Sequence, residues 1–148
     1  MEVLKIDTTR KTLMMALSRT HKEWVNHMRK CALEVGIPDS YRTVIMYVHR
    51  HRGASQRELA EFSNKTAAAV NQTVKEMSQN GYLTLETDEN DRRYTKLYLT
   101  EKGNEKAELL KNRLHGSDEV ITRFVGREEE DRLVELLDEV HRLIKEEL

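Results

Sequence analysis

Between Thr66 and Met77 the sequence TAAAVNQTVKEM carries Ala67, Ala68, Asn71, Gln72 and Lys75 away from an apolar stripe of Val70, Val74 and Met77. These residue types suit one kind of chemistry. Asn and Gln amides offer the donor–acceptor pair that matches the major-groove edge of adenine, and alanine methyls suit the thymine methyl. Small residues let a helix approach a surface closely, whereas an ordinary exposed helix face alternates Glu and Lys. Taken alone the pattern also fits a solvated amphipathic helix, because helical hairpins are common. A second constellation follows at Asp88-Glu89-Asn90-Asp91-Arg92-Arg93. An Arg there suits the negative potential of a narrow A/T minor groove. Asp91 would be repelled by phosphate unless it orients a guanidinium by a charge-assisted bond. An incidental ion pair in a solvated turn is the alternative.

Other chemistry is sparse. His27 and Cys31 are four residues apart and Glu34 follows, a spacing that could put three metal ligands on one helical face. Cys31, the single cysteine, adjoins Arg29 and Lys30 in sequence, but a buried structural thiol is the default reading. There is no Gly-rich phosphate loop, no H-E-x-x-H and no nucleophile elbow, so no catalytic residue, metal site or cofactor is assigned.

The elements that must position these groups can be read from periodicity and caps. Ser55 with Glu58 three residues on forms a capping box, opening a short helix with Leu59, Ala60 and Phe62. It stops at Ser63-Asn64-Lys65, where Asn64 tolerates a left-handed turn conformation and Thr66 can cap the next helix. Gly81 ends that helix. Tyr82–Thr87 and Tyr94–Thr100 are rich in Tyr, Thr and Leu and read as paired strands with a charged tip. Upstream, residues 8–35 form a long helix capped by Thr8 or Thr9, with Leu13, Leu17, His21, Trp24, Met28, Cys31 and Val35 on one face and Gly36 at its end. Pro38 opens a helix with Val44, Ile45 and Val48 inward, closed by His49-Arg50-His51-Arg52-Gly53, a basic cluster that could touch phosphates.

Leu59-Ala60, the turn, the second helix, Gly81-Tyr82-Leu83, Asp91-Arg92-Arg93 and Leu99-Thr100-Glu101-Lys102-Gly103 together resemble the winged helix-turn-helix of the MarR family of bacterial transcription regulators. The pairing of D-R-R with L-T-E-K-G is more specific than either helix. The resemblance spans the chain in layout and residues 37–103 in detail. Ser63 and Lys65 depart from the apolar turn residues usual in that family, and Thr73 stands where Leu is common.

Charge supports a division of labour. The net charge is −1, yet residues 1–49 carry eight Lys and Arg against five acids, 50–102 nine against eight, and 103–148 eight against thirteen. The acidic excess is C-terminal, which fits nucleic-acid contact at one end and self-association at the other. Glu101–Val125 reads as a helix that could kink or restart near His115-Gly116, since an interior Gly costs about 1 kcal/mol against Ala. Residues 127–148 form a last helix with an acidic first turn and a near-heptad stripe of Leu133, Leu136, Leu137, Val140, Leu143, Ile144 and Leu148, which needs a partner. No apolar run approaches the roughly 20 residues of a membrane span, no signal-peptide core is present, and one cysteine is consistent with the cytoplasm.

The expected fold is mainly α with a small β-hairpin wing: a dimerisation helix over 1–36, a winged helix-turn-helix over 37–102 and dimerisation helices over 103–148. The resemblance implies a triangular homodimer; such a two-fold dimer, expected to be a repressor, would set the two Thr66–Met77 helices in major grooves about 34 Å apart on a pseudo-palindromic double-stranded operator, with A/T-rich half-sites expected from the adenine-matching amides. Asn71 and Gln72 would read bases, Ala67 and Ala68 allow close approach, and Lys65, Thr66 and Lys75 hold phosphates. Arg93, oriented by Asp91, would enter the minor groove while Arg92 contacts backbone. The resemblance further implies a small aromatic, anionic effector, with His21, Trp24, Met28, Tyr41, Met46 and Tyr47 as candidate lining; core packing is the competing reading. Oxidant-sensing relatives place a cysteine nearer the start of the first helix, and zinc-sensing ones carry His clusters after the wing, where this chain has only His115. A winged-helix protein-interaction module without specific DNA binding is the alternative function.

Overall fold

The first helix begins where a hydroxyl can take an orphan amide. In the computed structural model, which describes residues 12–87, 89 and 95–147, Thr12 Oγ1 accepts from Met15 N at 3.2 Å and α1 runs Leu13–Glu34. The cap is therefore Thr12, and Thr8 and Thr9 lie outside the described residues. α2 is Asp39–Arg50, with Pro38 at the cap position. Asp39 in its first turn accepts from Arg42 Nε at 2.9 Å and Arg29 Nε at 3.4 Å, tying α1 to α2. Burial works against the charged Asp39 carboxylate, but the bonds and charges of Arg42 and Arg29 together hold it below its ordinary range.

A two-residue strand, β1 (Ala54–Ser55), precedes α3 (Gln56–Ser63) and α4 (Ala67–Gln79). β2 (Leu83–Thr87) and β3 (Thr95–Leu99) pair antiparallel with Leu83 opposite Leu99 and Thr87 opposite Thr95. β1 adds to the other edge of β3, Ala54 opposite Leu97, giving the order β1-β3-β2. The sheet thus has three strands rather than the expected hairpin alone. α5 (Glu101–Val125) and α6 (Arg127–Glu147) complete the chain.

The chain divides into two compact units, residues 1–108 and 109–148, the division falling within α5. The first unit owns a core. Ile37, Tyr41, Val44, Ile45 and Val48 from α2 and its approach are buried with Leu59, Val70, Val74, Met77, Leu83 and Leu97. Each side chain of this size stabilises the fold by roughly 1.5–3 kcal/mol when fully buried. Among the described residues the second unit is helical apart from Gly126, and α6 buries none of them. α5 runs unbroken through Gly116. Ser117 Oγ bonds back to the Arg113 carbonyl at 3.2 Å, so it does not cap a restarted helix there. No helix among the described residues is long and apolar enough to cross a membrane.

Candidate nucleic-acid interface

The α3–turn–α4 unit is held by short-range polar bonds that the sequence dictates. Glu58 Oε2 accepts from Ser55 N at 2.7 Å and Ser55 Oγ at 2.8 Å, while Ser55 Oγ takes Glu58 N at 3.2 Å. These bonds, with a weaker pull from His51, hold the Glu58 carboxyl below its ordinary value. Asn64 takes φ 51°, the left-handed conformation that reverses the chain, and Lys65 N reaches the Ala60 carbonyl at 3.3 Å. Thr66 Oγ1 then caps α4 by accepting from Ala69 N at 3.2 Å.

That cap fixes which face of α4 turns inward. Val70, Val74 and Met77 are buried, and Lys65, Thr66, Ala67, Ala68, Asn71, Gln72 and Lys75 are all exposed. The result is a surface of methyls, amides and cations with no bulky apolar side chain. Thr66 can hold a phosphate only through its hydroxyl hydrogen, since its oxygen already serves the cap. One partner was not foreseen: Gln72 Nε2 donates to Glu76 Oε1 at 2.7 Å. The i,i+4 spacing of an amide and a carboxylate is the signal that could have found it.

The far end of α4 is clasped. Tyr82 N reaches the Met77 carbonyl at 2.8 Å, and Thr100 N reaches the Tyr82 carbonyl at 3.1 Å. Thr100 Oγ1 donates to the Gly81 carbonyl at 2.6 Å and accepts from Gly103 N at 3.1 Å, so one hydroxyl serves the α4 exit and the α5 start. Lys102 Nζ donates to the Asn80 carbonyl at 3.0 Å and sits 4.2 Å from the Tyr82 ring centroid. Asn80 Nδ2 donates to the Tyr41 hydroxyl at 2.7 Å, and Tyr41 meets Tyr82 edge-on. A methyl on Gly103 would collide with the Tyr82 carbonyl oxygen. L-T-E-K-G is thus the clasp that sets where α4 ends, a role invisible while it served only as a signature.

The β2–β3 ladder is described as far as Thr87 and Thr95. Asp91, Arg92 and Arg93 lie outside the described residues. In the basic cluster that closes α2, His49 Nε2 lies 2.9 Å from Glu108 Oε1 and the His51 ring packs tilted against Tyr47 with centroids 4.6 Å apart. Arg52 sits 5.9 Å from the Tyr98 ring centroid, and Arg50 is exposed.

With this geometry in view, residues 35–93 match the model of the MarR family. The winged helix-turn-helix belongs to the MarR family. The HTH-type transcriptional regulator BilQ of Clostridium symbiosum (strain WAL-14163) is 28% identical over 96 residues, covering 65% of this chain and 67% of its own. A MarR family transcriptional regulator from Listeria monocytogenes, solved with a 26mer DNA, superposes with a TM-score of 0.79 over 91% of this chain and 90% of its own at 16% identity. NadR in complex with 4-hydroxyphenylacetate superposes with a TM-score of 0.74 over 95% and 97% at 18% identity. The match places residues 35–93 with the MarR-type transcriptional regulators.

The residues named for a MarR effector are distributed over α1 and α2. His21 is exposed; Trp24 is half-buried and tilts against His27 at 5.6 Å. Met28 Sδ accepts from Arg42 Nη1 at 3.6 Å, which brings it to α2. Tyr41 is buried with its hydroxyl taken by Asn80, Met46 is half-buried, and Tyr47 packs tilted against His51 and Phe62. Tyr41 is thereby part of the α4 clasp, and Tyr47 part of an aromatic cluster ending at exposed Phe62. Cys31 is fully buried, with Sγ 3.4 Å from His27 Nε2. Among the described residues no three His, Cys, Asp or Glu side chains converge, so Glu34 does not join that pair.

Proposed function

We propose that this MarR-type regulator binds double-stranded DNA sequence-specifically as a homodimer on a pseudo-palindromic A/T-rich operator, represses transcription in the cytoplasm, and is released by a small aromatic, anionic effector. The observation that carries the reading is the exposed face of α4: Asn71 and Gln72 flanked by Ala67, Ala68 and Lys75, on a helix capped at one end and clasped at the other. Asn71 and Gln72 read adenine edges, Lys65, Thr66 and Lys75 bind phosphates, and Arg93, oriented by Asp91, enters the minor groove beside Arg92 on the backbone.

Residues 1–36 and 103–148 serve dimerisation and 37–102 bind DNA. Support comes from α6, whose Leu133, Leu136, Leu143 and Ile144 are exposed in the single chain. Two copies would set their α4 helices in grooves about 34 Å apart. The effector would be held by His21, Trp24, Met28, Tyr41, Met46 and Tyr47, and would favour a spacing of the winged lobes that no longer fits the DNA. NadR's bound 4-hydroxyphenylacetate gives the class of compound to try first.

The test is fluorescence anisotropy with the DNA upstream of the protein's own gene, at two salt concentrations, beside Arg93→Ala. Tight, salt-sensitive, sequence-preferring binding that the substitution weakens is expected. Weak binding indifferent to sequence and to Arg93 would instead mark a protein-interaction module.

A further inference from the structure

We propose that Glu76 is a specificity-determining positioning residue, which locks the Gln72 amide so that it presents a fixed donor–acceptor pair to the DNA. This rests on the base-reading role of Gln72 proposed above. Gln72 Nε2 lies 2.7 Å from Glu76 Oε1, one helical turn on along the exposed side of α4. The chemistry of that contact removes an ambiguity. A carboxylate can only accept, so the amide nitrogen of Gln72 must face Glu76 and its oxygen must face away. The bond uses one of two amide hydrogens. What remains is one N–H donor and the carbonyl acceptor, the pair that adenine takes at N7 and at its 6-amino group. An unheld Gln can rotate its amide and offer the reversed order, so it discriminates poorly.

Glu76 is suited to the task because it is half-buried while Gln72 is exposed. Its backbone is anchored too: the Asn80 amide bonds the Glu76 carbonyl at 2.9 Å, and the neighbouring Met77 is fully buried. A carboxylate beside a DNA-facing surface opposes phosphate binding. Glu76 therefore acts in two directions at once. It weakens the sequence-independent electrostatic attraction and sharpens the choice of base, which distinguishes it from a residue that only supports the fold.

The experiment uses the full-length protein and a duplex that the wild type selects from a randomised pool. Affinity is measured for that duplex, for single-base variants and for a non-selected duplex, with Glu76→Gln, Glu76→Ala, Gln72→Ala and the double variant Gln72→Ala/Glu76→Ala. Each Glu76 substitution is expected to lower discrimination at one base pair about tenfold while raising affinity for the non-selected duplex. Glu76→Gln matters most, because it keeps the size and the helix but can donate as well as accept, so the forced orientation is lost. In the Gln72→Ala background, Glu76→Ala should cost no further discrimination. Specific binding that needs Gln72 but shows additive Glu76 effects, or unchanged discrimination in Glu76→Gln, would overturn the inference and leave the DNA-binding reading intact. Discrimination indifferent to Gln72→Ala would overturn it together with the base-reading role. Absence of salt-sensitive binding in the wild type would overturn the function itself.

Discussion

Helices α4 and α6 carry apolar stripes that look alike in sequence and end in opposite environments. Val70, Val74 and Met77 of α4 are at most 3% exposed, covered by the winged unit's own core, whereas Leu133, Leu136, Leu143 and Ile144 of α6 are 43–51% exposed. The stripe of α4 is an internal fastening whose reward is the free opposite face. The stripe of α6 is the unfinished side, which on the present reading a second copy completes. Periodicity tells which residues share a face; only the fold tells who covers it.

The sharpest way to break this contrast is to truncate one residue on each side of it. Leu59→Ala, in the core that seats α3 and α4, should lose about 2–5 kcal/mol in chemical denaturation, whatever the protein concentration. Leu136→Asp should leave the melting of the winged unit in place, but shift sedimentation from dimer to monomer and remove the concentration dependence of Tm. Loss of stability in Leu136→Asp at unchanged oligomeric state would show that α6 is covered from within. Gly103→Ala tests the clasp: the new methyl meets the Tyr82 carbonyl, and about 1–3 kcal/mol should be lost.

The smallest effect belongs to the α3 cap. Ser55→Ala should cost about 1 kcal/mol at neutral pH. The pH dependence has a definite sign. Glu58 titrates below its ordinary value of 4.5 in the folded protein, so its contribution is complete above that value and is lost as pH falls through the folded one. Denaturation of Glu58→Gln followed down in pH should show its deficit against wild type shrinking below about 4.5. Asp39, also depressed, should behave likewise near its own ordinary value of 3.8.

What was legible in the sequence was local. The Ser55–Glu58 box, the left-handed Asn64, the Thr66 cap and the inward Val70, Val74 and Met77 all depend on residues within about one or two helical turns. The strands paired nearly as expected: β2 starts one residue later because Tyr82 serves the clasp, and β3 ends one residue earlier, at Leu99, because the Thr100 hydroxyl serves it too. What escaped was set by distant partners. β1 is only two residues and exists because Leu97 lies opposite Ala54, far along the chain. The clasp joins Tyr41, Asn80, Thr100 and Lys102, whose spacing carries no periodic signal. Within the candidate site, the exposed face of α4 was readable from residue types. The Glu76 hold on Gln72 has an i,i+4 spacing as its only local signal, and that spacing is equally common on solvated helix faces.

The central claim is that α4 fastens with one face and reads with the other. The most direct measurement compares Asn71→Ala with Val74→Ala, following thermal unfolding and the ratio of specific to non-specific DNA affinity for each. Asn71→Ala is expected to leave Tm within a few degrees of wild type and to cut the ratio by about tenfold, while Val74→Ala lowers Tm markedly. An Asn71→Ala protein that keeps its discrimination in full would contradict the claim.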